Sequence, residues 1–263
     1  MSIITISHIS YSKGEEIAEK VAQELGFECI SREAIILEAS EKFNVPETKL
    51  IHAIHDAPSL LDCYSLEKKR LIAYMRWAVL EHLRKDNIVY HGLVGHFFVK
   101  GIAHVLKVRI IAGLEDRAKL EVKREGISKA EALHILRKDD EEQRRWGQYL
   151  YDIDPSDASL YDLVINTHKA TIDKAVDIIC QAAGLASFQT SPESEKMMDD
   201  LVLSAEVEAA LIGLGYKFEV FADNGVVFVK VEGPLPQEVT LSHDIERIAG
   251  SIPGVEDIRI EVV

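Results

Sequence analysis

The sequence predicts an α/β protein: a parallel sheet covered by helices on both faces, followed by a small α+β domain of order helix, strand, strand, helix, strand. Three observations carry this. Apolar, β-branched runs at residues 2–7, 87–91, 104–112 and 161–167 alternate with segments of helical periodicity long enough to cross back over a sheet. Residues 184–196 turn to Gly, Ala, Ser, Gln, Thr, Pro and Glu, which is linker chemistry. Beyond them, Asn224-Gly225 between two alternating apolar runs signals a hairpin. The expected organisation is a first domain over residues 1–183, a linker over 184–196 and a second domain over 197–263.

The elements follow in order. The strand at 2–7 leads through a polar loop into a helix near 15–25, where Ile17, Ala18, Val21, Ala22 and Leu25 recur at helical spacing. Segments 31–41, 47–57 and 65–85 read as helices, and 87–91 as a buried strand followed at once by Gly92. The run 104–112 has the composition of a central strand. Gly126 closes a helix over 115–126 as its C-terminal cap. Ser128 with Glu131 three residues on forms a capping box that opens a long charged helix to about Tyr149. A strand at 161–167 and a helix at 172–183 complete the first domain. In the second, the order is helix 197–214, strand 217–222, turn 223–225, strand 226–232, helix 242–250 and strand 257–262.

Composition bounds the function. A 47% hydrophobic and 28% charged chain of 263 residues is that of a globular protein with a sizeable core. No run approaches the roughly 20 apolar residues that a membrane span requires, and the N-terminus has no basic region and no small-residue cleavage site, its short apolar run reading as a first strand rather than a signal peptide, so a cytoplasmic location is expected. Cys29, Cys63 and Cys180 are odd in number and far apart, which argues against disulfides and a cysteine metal site; reduced, mostly buried thiols are expected. A net charge of −14 opposes nonspecific nucleic-acid binding. A small anion remains compatible where bases cluster, as between Arg137 and Arg145.

The loop after the first strand, Ser7-His8-Ile9-Ser10-Tyr11-Ser12-Lys13-Gly14-Glu15-Glu16, stands where an open parallel sheet binds phosphate. It does not match G-x-x-x-x-G-K-[ST]: Lys13 precedes Gly14, and Glu16 takes the approximate place of the Mg²⁺-holding hydroxyl.

The wider pattern is more specific. Ile4-Thr5-Ile6-Ser7, Gly14, Glu16-Ile17-Ala18-Glu19-Lys20, Leu25-Gly26 and Ser31-Arg32-Glu33 resemble the opening of the cytidylate kinase-like family. Leu114-Glu115-Asp116-Arg117, Arg124-Glu125-Gly126-Ile127-Ser128, Asp140 and the run from Ser159 to Thr167 resemble its second half. The resemblance spans roughly residues 1–183. It implies a P-loop kinase core, a helical insertion for the nucleoside monophosphate, a lid bearing arginines, and use of ATP with Mg²⁺. Where the family loop reads Tyr-Gly-Ser-Gly-Gly-Arg-Glu, this chain has Ser10-Tyr11-Ser12-Lys13-Gly14-Glu15-Glu16. Two glycines are replaced, and an arginine has become Glu15.

The resemblance assigns phosphate contacts to Ser10, Ser12, Lys13 and Gly14, an acceptor-side contact to Arg32, a place near the adenine to Arg117, and lid roles to Arg137, Arg144 and Arg145. Lys13, Arg137 and Arg144 are the candidates for catalysis, since a lysine point charge and bidentate arginines suit a migrating phosphoryl group. Where the family has Gly-Arg-Gly, the chain reads His91-Gly92-Leu93-Val94-Gly95, so the acceptor arginine is Leu93. His91 and His96 read as neutral, hydrogen-bonded histidines, with protonated phosphate contacts as the alternative. His52 and His55 share a helix face without a third ligand, so no metal site is expected. Trp77 and Trp146 read as packing residues.

Residues 200–263, with Asn224-Gly225-Val226-Val227-Phe228-Val229 and Ile252-Pro253-Gly254-Val255-Glu256-Asp257-Ile258, resemble a BON-like domain, which implies binding of a ligand or protein partner rather than catalysis. Three readings follow: ATP-dependent phosphoryl transfer to CMP or a similar monophosphate, a nucleotide or anion sensor reporting through the C-terminal domain, and an interaction protein with an emptied site. Loss of glycines and of an acceptor arginine together weighs toward reduced catalysis.

Overall fold

The computed structural model of the protein describes residues 2–55, 66–92, 95–151, 153–231 and 238–262. Leu93 and Cys63, and the side chains of His55 and Trp146, lie outside the described residues. Two compact units are formed. One comprises residues 2–35 and 85–190, the other residues 36–53, 66–84 and 191–262.

The first unit is an open parallel sheet of β1 (Ile3–His8), β2 (Glu28–Ser31), β3 (Ile88–His91), β4 (Val105–Ile111) and β5 (Leu163–Asn166), in the order β2-β3-β1-β4-β5. All four pairings are parallel, with Ile6 beside both His91 and Val108. Between these run α1 (Gly14–Leu25), the first turn of α2 (Arg32–Phe43), the single turn α5 (Gly95–Phe98), α6 (Leu114–Glu125), α7 (Lys129–Tyr151) and α8 (Ile172–Ala183). α1 and α8 pack together, and their apolar stripes join β1, β3 and β4 in one core around Ile4, Ile17, Val21, Leu106, Val108 and Ile179. Because the chain winds outward on both sides of β1, the crevice at the carboxyl end of β1 is where such a sheet receives ligands.

The second unit holds the rest of α2, α3 (Glu47–His55) as far as residue 53, α4 (Leu66–Leu83), α9 (Pro192–Leu211), β6 (Phe218–Asp223), β7 (Val226–Val231), α10 (Glu238–Ala249) and β8 (Asp257–Val262). α4 is buried nearly all round, through residues such as Leu71, Met75, Trp77, Val79 and Leu80, and it packs along α9. Arg76 on α4 pairs with Glu208 on α9, and Phe43 stacks on Tyr74 at 3.9 Å. So helices that the sequence alone groups with the kinase-like segment bury their apolar faces with the C-terminal segment instead.

β6 and β7 are antiparallel, β7 and β8 parallel, and the turn is Asn224-Gly225 at φ 53° and 77°, the twist a two-residue hairpin requires. α9 and α10 cover one face of this sheet around Val207, Leu211, Val227, Val229 and Ile245.

Several readings shift. α9 begins at Pro192, inside the stretch that reads as linker: Ser191 and Ser194 form a reciprocal cap, Pro192 takes the first helical position, and Glu193 and Glu195 face the helix dipole. These residue types are common to linkers and helix starts. β2 and α5 go unread because a four-residue edge strand and a single turn carry too little periodicity. Cys29 is exposed rather than buried, and burial of part of its side chain still pushes its thiol up to about 11.

Candidate functional site

β1 delivers the chain into a tight loop before α1. Tyr11 and Lys13 both adopt left-handed backbone, at φ 60° and 65°. A β-carbon makes that conformation unfavourable by roughly 1 kcal/mol per residue, and these are two of the three positions where the resembling loop carries glycine, the third being Gly14. The loop therefore keeps a glycine-type path without the glycines. Gly14 cannot be replaced so simply, because a β-carbon there would lie 2.3 Å from the Cβ of His8. Lys13 opens α1 without a side-chain cap, and Ser12 is wholly buried with its hydroxyl unpartnered among the described residues. Thr167, just past β5, donates to the Ser12 carbonyl at 3.3 Å and fixes the loop from the opposite side.

The loop is clasped to the helices that follow β4. The Arg117 guanidinium is 2% exposed; its Nε donates to the Ser10 carbonyl at 2.7 Å, while Nη1 and Nη2 each reach an Asp140 oxygen at 2.8 Å. One buried arginine thus joins the loop, α6 and α7 through the bidentate geometry that its planar fork permits. Tyr11 adds an apolar contact: its ring packs with Leu114, Val122, Ile127 and Leu133 around Ala118 and Leu136, beneath the Arg124 guanidinium. Buried Glu121, close to its hydroxyl, is the leading influence that pushes the phenol upward, ahead of burial.

Beside this clasp lies a cleft of roughly 370 Å³, lined by Ile9, Arg109, Leu114, Arg117, Gln143 and Arg144 among others. Its size falls within the range of small-molecule sites. Arg109 projects from β4, 8% exposed, and donates to the Ser7 hydroxyl at 3.1 Å and the Tyr161 hydroxyl at 3.0 Å. Tyr161 in turn donates to the Pro155 carbonyl at 2.9 Å. A buried, fully oriented cation beside the end of β1 is a feature the sequence reading missed, although an arginine inside the apolar run Val105–Ile111 was a legible signal.

The expected residues distribute unevenly. Ser10, Ser12, Lys13 and Gly14 share the loop; Ser10 contributes its carbonyl, and Lys13 is exposed. Arg117 and Arg144 line the cleft, with Arg144 3.6 Å from Asp154. Arg137 and Arg145 are exposed on α7 outside it, Arg145 paired with Glu141. Arg32, the first residue of α2, reaches Glu33 at 3.0 Å, and its Nε is buried without a partner among the described residues. It lies beside the end of β3, where a β-carbon on Gly92 would stand 3.2 Å from the Arg32 Cβ.

The histidines here are neutral. Burial, aided by nearby Arg109 and Lys107, pushes His96 down to about 3, and its ring packs on Phe97 and Tyr161. Its Nε2 has no partner among the described residues, so the hydrogen bond expected of a neutral histidine is not made at that nitrogen. Burial also lowers His8 and His91, whose rings are 6.1 Å apart. A neutral imidazole binds phosphate weakly, which sets these three aside as anion contacts near pH 7.

Comparison with known proteins adds ancestry to this geometry. Residues 3–169 match the model of the cytidylate kinase-like family. A cytidylate kinase of Ignicoccus hospitalis is 30% identical over 167 residues, 64% of this chain and 90% of that one. A cytidylate kinase of Methanopyrus kandleri is 26% identical over 177 residues, 67% and 90% of the two chains. Among solved structures, an uncharacterized protein from Eubacterium ventriosum superposes with a TM-score of 0.55 at 18% identity, covering 69% of this chain and 97% of that one, a likeness of fold.

Proposed function

This chain belongs to the cytidylate kinase-like family, and we propose that it binds a nucleoside triphosphate over residues 10–14 and transfers its terminal phosphoryl group, slowly, to CMP or another nucleoside monophosphate. The observation that carries the reading is the left-handed backbone at Tyr11 and Lys13 on either side of buried Ser12. Such turns are the local geometry from which anion-binding nests of backbone N–H groups are built, and the uncapped start of α1 adds its dipole.

The residues present fit ATP at the loop: the orphan Ser12 hydroxyl and the exposed Lys13 ammonium flank its centre. Among the described residues no three His, Cys, Asp or Glu side chains group as a metal site. Mg²⁺ would arrive with the phosphates, its usual mode in kinases. Bound, the pair would supply an activated phosphoryl group. Lys13 would hold phosphate as a point charge, and Arg144 and Arg137 would steady charge on the moving group if their present orientations give way. Glu15 and Glu16 in the first turn of α1 oppose anion binding, which is why transfer is slow.

A second reading, a nucleotide sensor without turnover that reports through a BON-like C-terminal domain, is favoured by one observation. The adenine-side Arg117 and the lid arginines Arg144 and Arg145 are engaged by carboxylates of this chain, Asp140, Asp154 and Glu141. Incubation with ATP, Mg²⁺ and each nucleoside monophosphate decides between them. Diphosphate product from one acceptor supports transfer; its absence with every acceptor, beside an active control kinase, rules transfer out.

A further inference from the structure

Three arginines and two aspartates line the cleft beside the loop, and one of the arginines has no carboxylate. Arg117 takes both oxygens of Asp140 at 2.8 Å. Asp154 accepts from the Ser156 backbone N–H at 2.9 Å and its hydroxyl at 2.6 Å through Oδ1, and turns Oδ2 to Arg144 at 3.6 Å. Arg109, 8% exposed, forms no ion pair among the described residues, and its two hydrogen bonds, to the Ser7 and Tyr161 hydroxyls, both leave from Nη1. The Tyr161 ring centre lies 5.4 Å from the guanidinium carbon, and the neutral ring of His96 packs on Tyr161. These neighbours orient the fork without balancing its charge. Nε and Nη2, which share the other edge of the guanidinium, have no acceptor among the described residues.

We propose that the Nε–Nη2 edge of Arg109 binds the phosphate of a nucleoside monophosphate, which makes Arg109 the residue that holds the acceptor. The identity of the phosphate's bearer rests on the phosphoryl-transfer reading; the anion site itself does not. A buried charge without a counter-charge is costly to keep, and a bound oxyanion supplies what the chain's own carboxylates, already spent on Arg117, Arg144 and Ser156, do not. Two parallel N–H donors on one guanidinium edge match two oxygens of a phosphate. Position selects the bearer. Arg109 stands opposite Ser7 in the β1–β4 register, and Ile9, just past Ser7, lines the same cleft, so the oxyanion would lie beside the loop over residues 10–14 rather than in it. A triphosphate on that loop leaves this edge to the second substrate. A chain of net charge −14 repels free anions, so such a site needs a cation that the chain does not itself neutralise.

The test is isothermal titration calorimetry of the full chain with CMP, UMP, AMP and inorganic phosphate, beside cytidine and acetate at matched ionic strength, with ATP titrated separately. At least one monophosphate is expected to bind, more tightly than inorganic phosphate, while cytidine and acetate do not. Arg109→Lys keeps the charge and loses the two-donor edge, and it should weaken monophosphate binding about tenfold or more while ATP affinity holds. Arg109→Met should weaken it at least as far. Failure of every monophosphate to bind the unaltered chain, binding that survives Arg109→Lys, or equal binding of cytidine or acetate would each overturn the proposal. An equal loss of ATP affinity in Arg109→Lys would give the edge to the triphosphate and overturn the assignment to the acceptor. Monophosphate binding that depends on Arg109 in a chain that binds no ATP would support this site while removing the triphosphate from the loop, so the two readings fail separately.

Discussion

Arg117 and Asp140 meet through two parallel hydrogen bonds of 2.8 Å while Arg117 Nε holds the Ser10 carbonyl at 2.7 Å. The pair makes the phosphate loop and α7 one structural object: whatever moves α7 pulls on the backbone that would face a phosphate. Asp140→Ala strands a guanidinium that is 2% exposed. Asp140 itself keeps 35% of its side-chain exposure, so the loss should fall near the lower end for a broken buried pair, about 3 kcal/mol. Urea unfolding checks this, and an unchanged midpoint would show the pair to be dispensable.

Lys13→Gly removes a β-carbon from left-handed backbone and should stabilise the protein by about 0.5–1 kcal/mol. Tyr11→Gly relieves the same strain but empties the contact with Leu114, Val122 and Leu133, so it should destabilise on balance. Opposite signs from two glycine substitutions two residues apart, measured by thermal unfolding, would separate backbone strain from packing.

The buried histidines predict acid sensitivity. The unfolded chain binds a proton at His96 near pH 6.5, whereas the folded chain refuses it until about pH 3, so stability drains as pH falls through that window. From pH 7 to 5 this one group should remove about 2 kcal/mol, and the lowered His8 and His91 act in the same direction. His96→Gln should flatten the slope of unfolding free energy against pH over 5–7. An unchanged slope would mean the ring is protonated in the fold.

In the second unit, burial pushes the Glu208 carboxyl up and the paired Arg76 opposes it. Glu208→Ala should therefore cost about 2–3 kcal/mol by leaving Arg76 uncompensated, while Arg76→Met with Glu208→Met should recover much of that loss. A double-mutant cycle in urea reads the coupling; additive effects would show that the two side chains stabilise independently.

The sequence made some of this legible for physical reasons. Central strands announce themselves as β-branched runs because both faces are buried, which is why β1, β3 and β4 were readable; the edge strand β5 was readable through its apolar run Leu163-Val164-Ile165, whereas the edge strand β2, with Glu28 and Cys29 exposed, was not. The hairpin at Asn224-Gly225 was readable because its turn demands positive φ twice. The loop's location followed from strand order, but its conformation did not: propensity says that tyrosine and lysine avoid left-handed backbone, and tertiary contacts through Thr167 and Arg117 override it. Arg117 and Asp140 were both noted in the sequence, 23 residues apart. Their pairing depends on how α6 and α7 return to each other, which periodicity does not encode.

The central claim is that a phosphate loop that has lost two of its three glycines still holds a nucleotide. Thermal unfolding of the full chain with and without millimolar ATP and Mg²⁺ tests it most directly, with CTP and CMP in parallel. At ligand concentrations about 100-fold above the dissociation constant, binding to the folded state adds about 2.7 kcal/mol. The account predicts a raised melting temperature with at least one triphosphate; no rise with any of the three would contradict it.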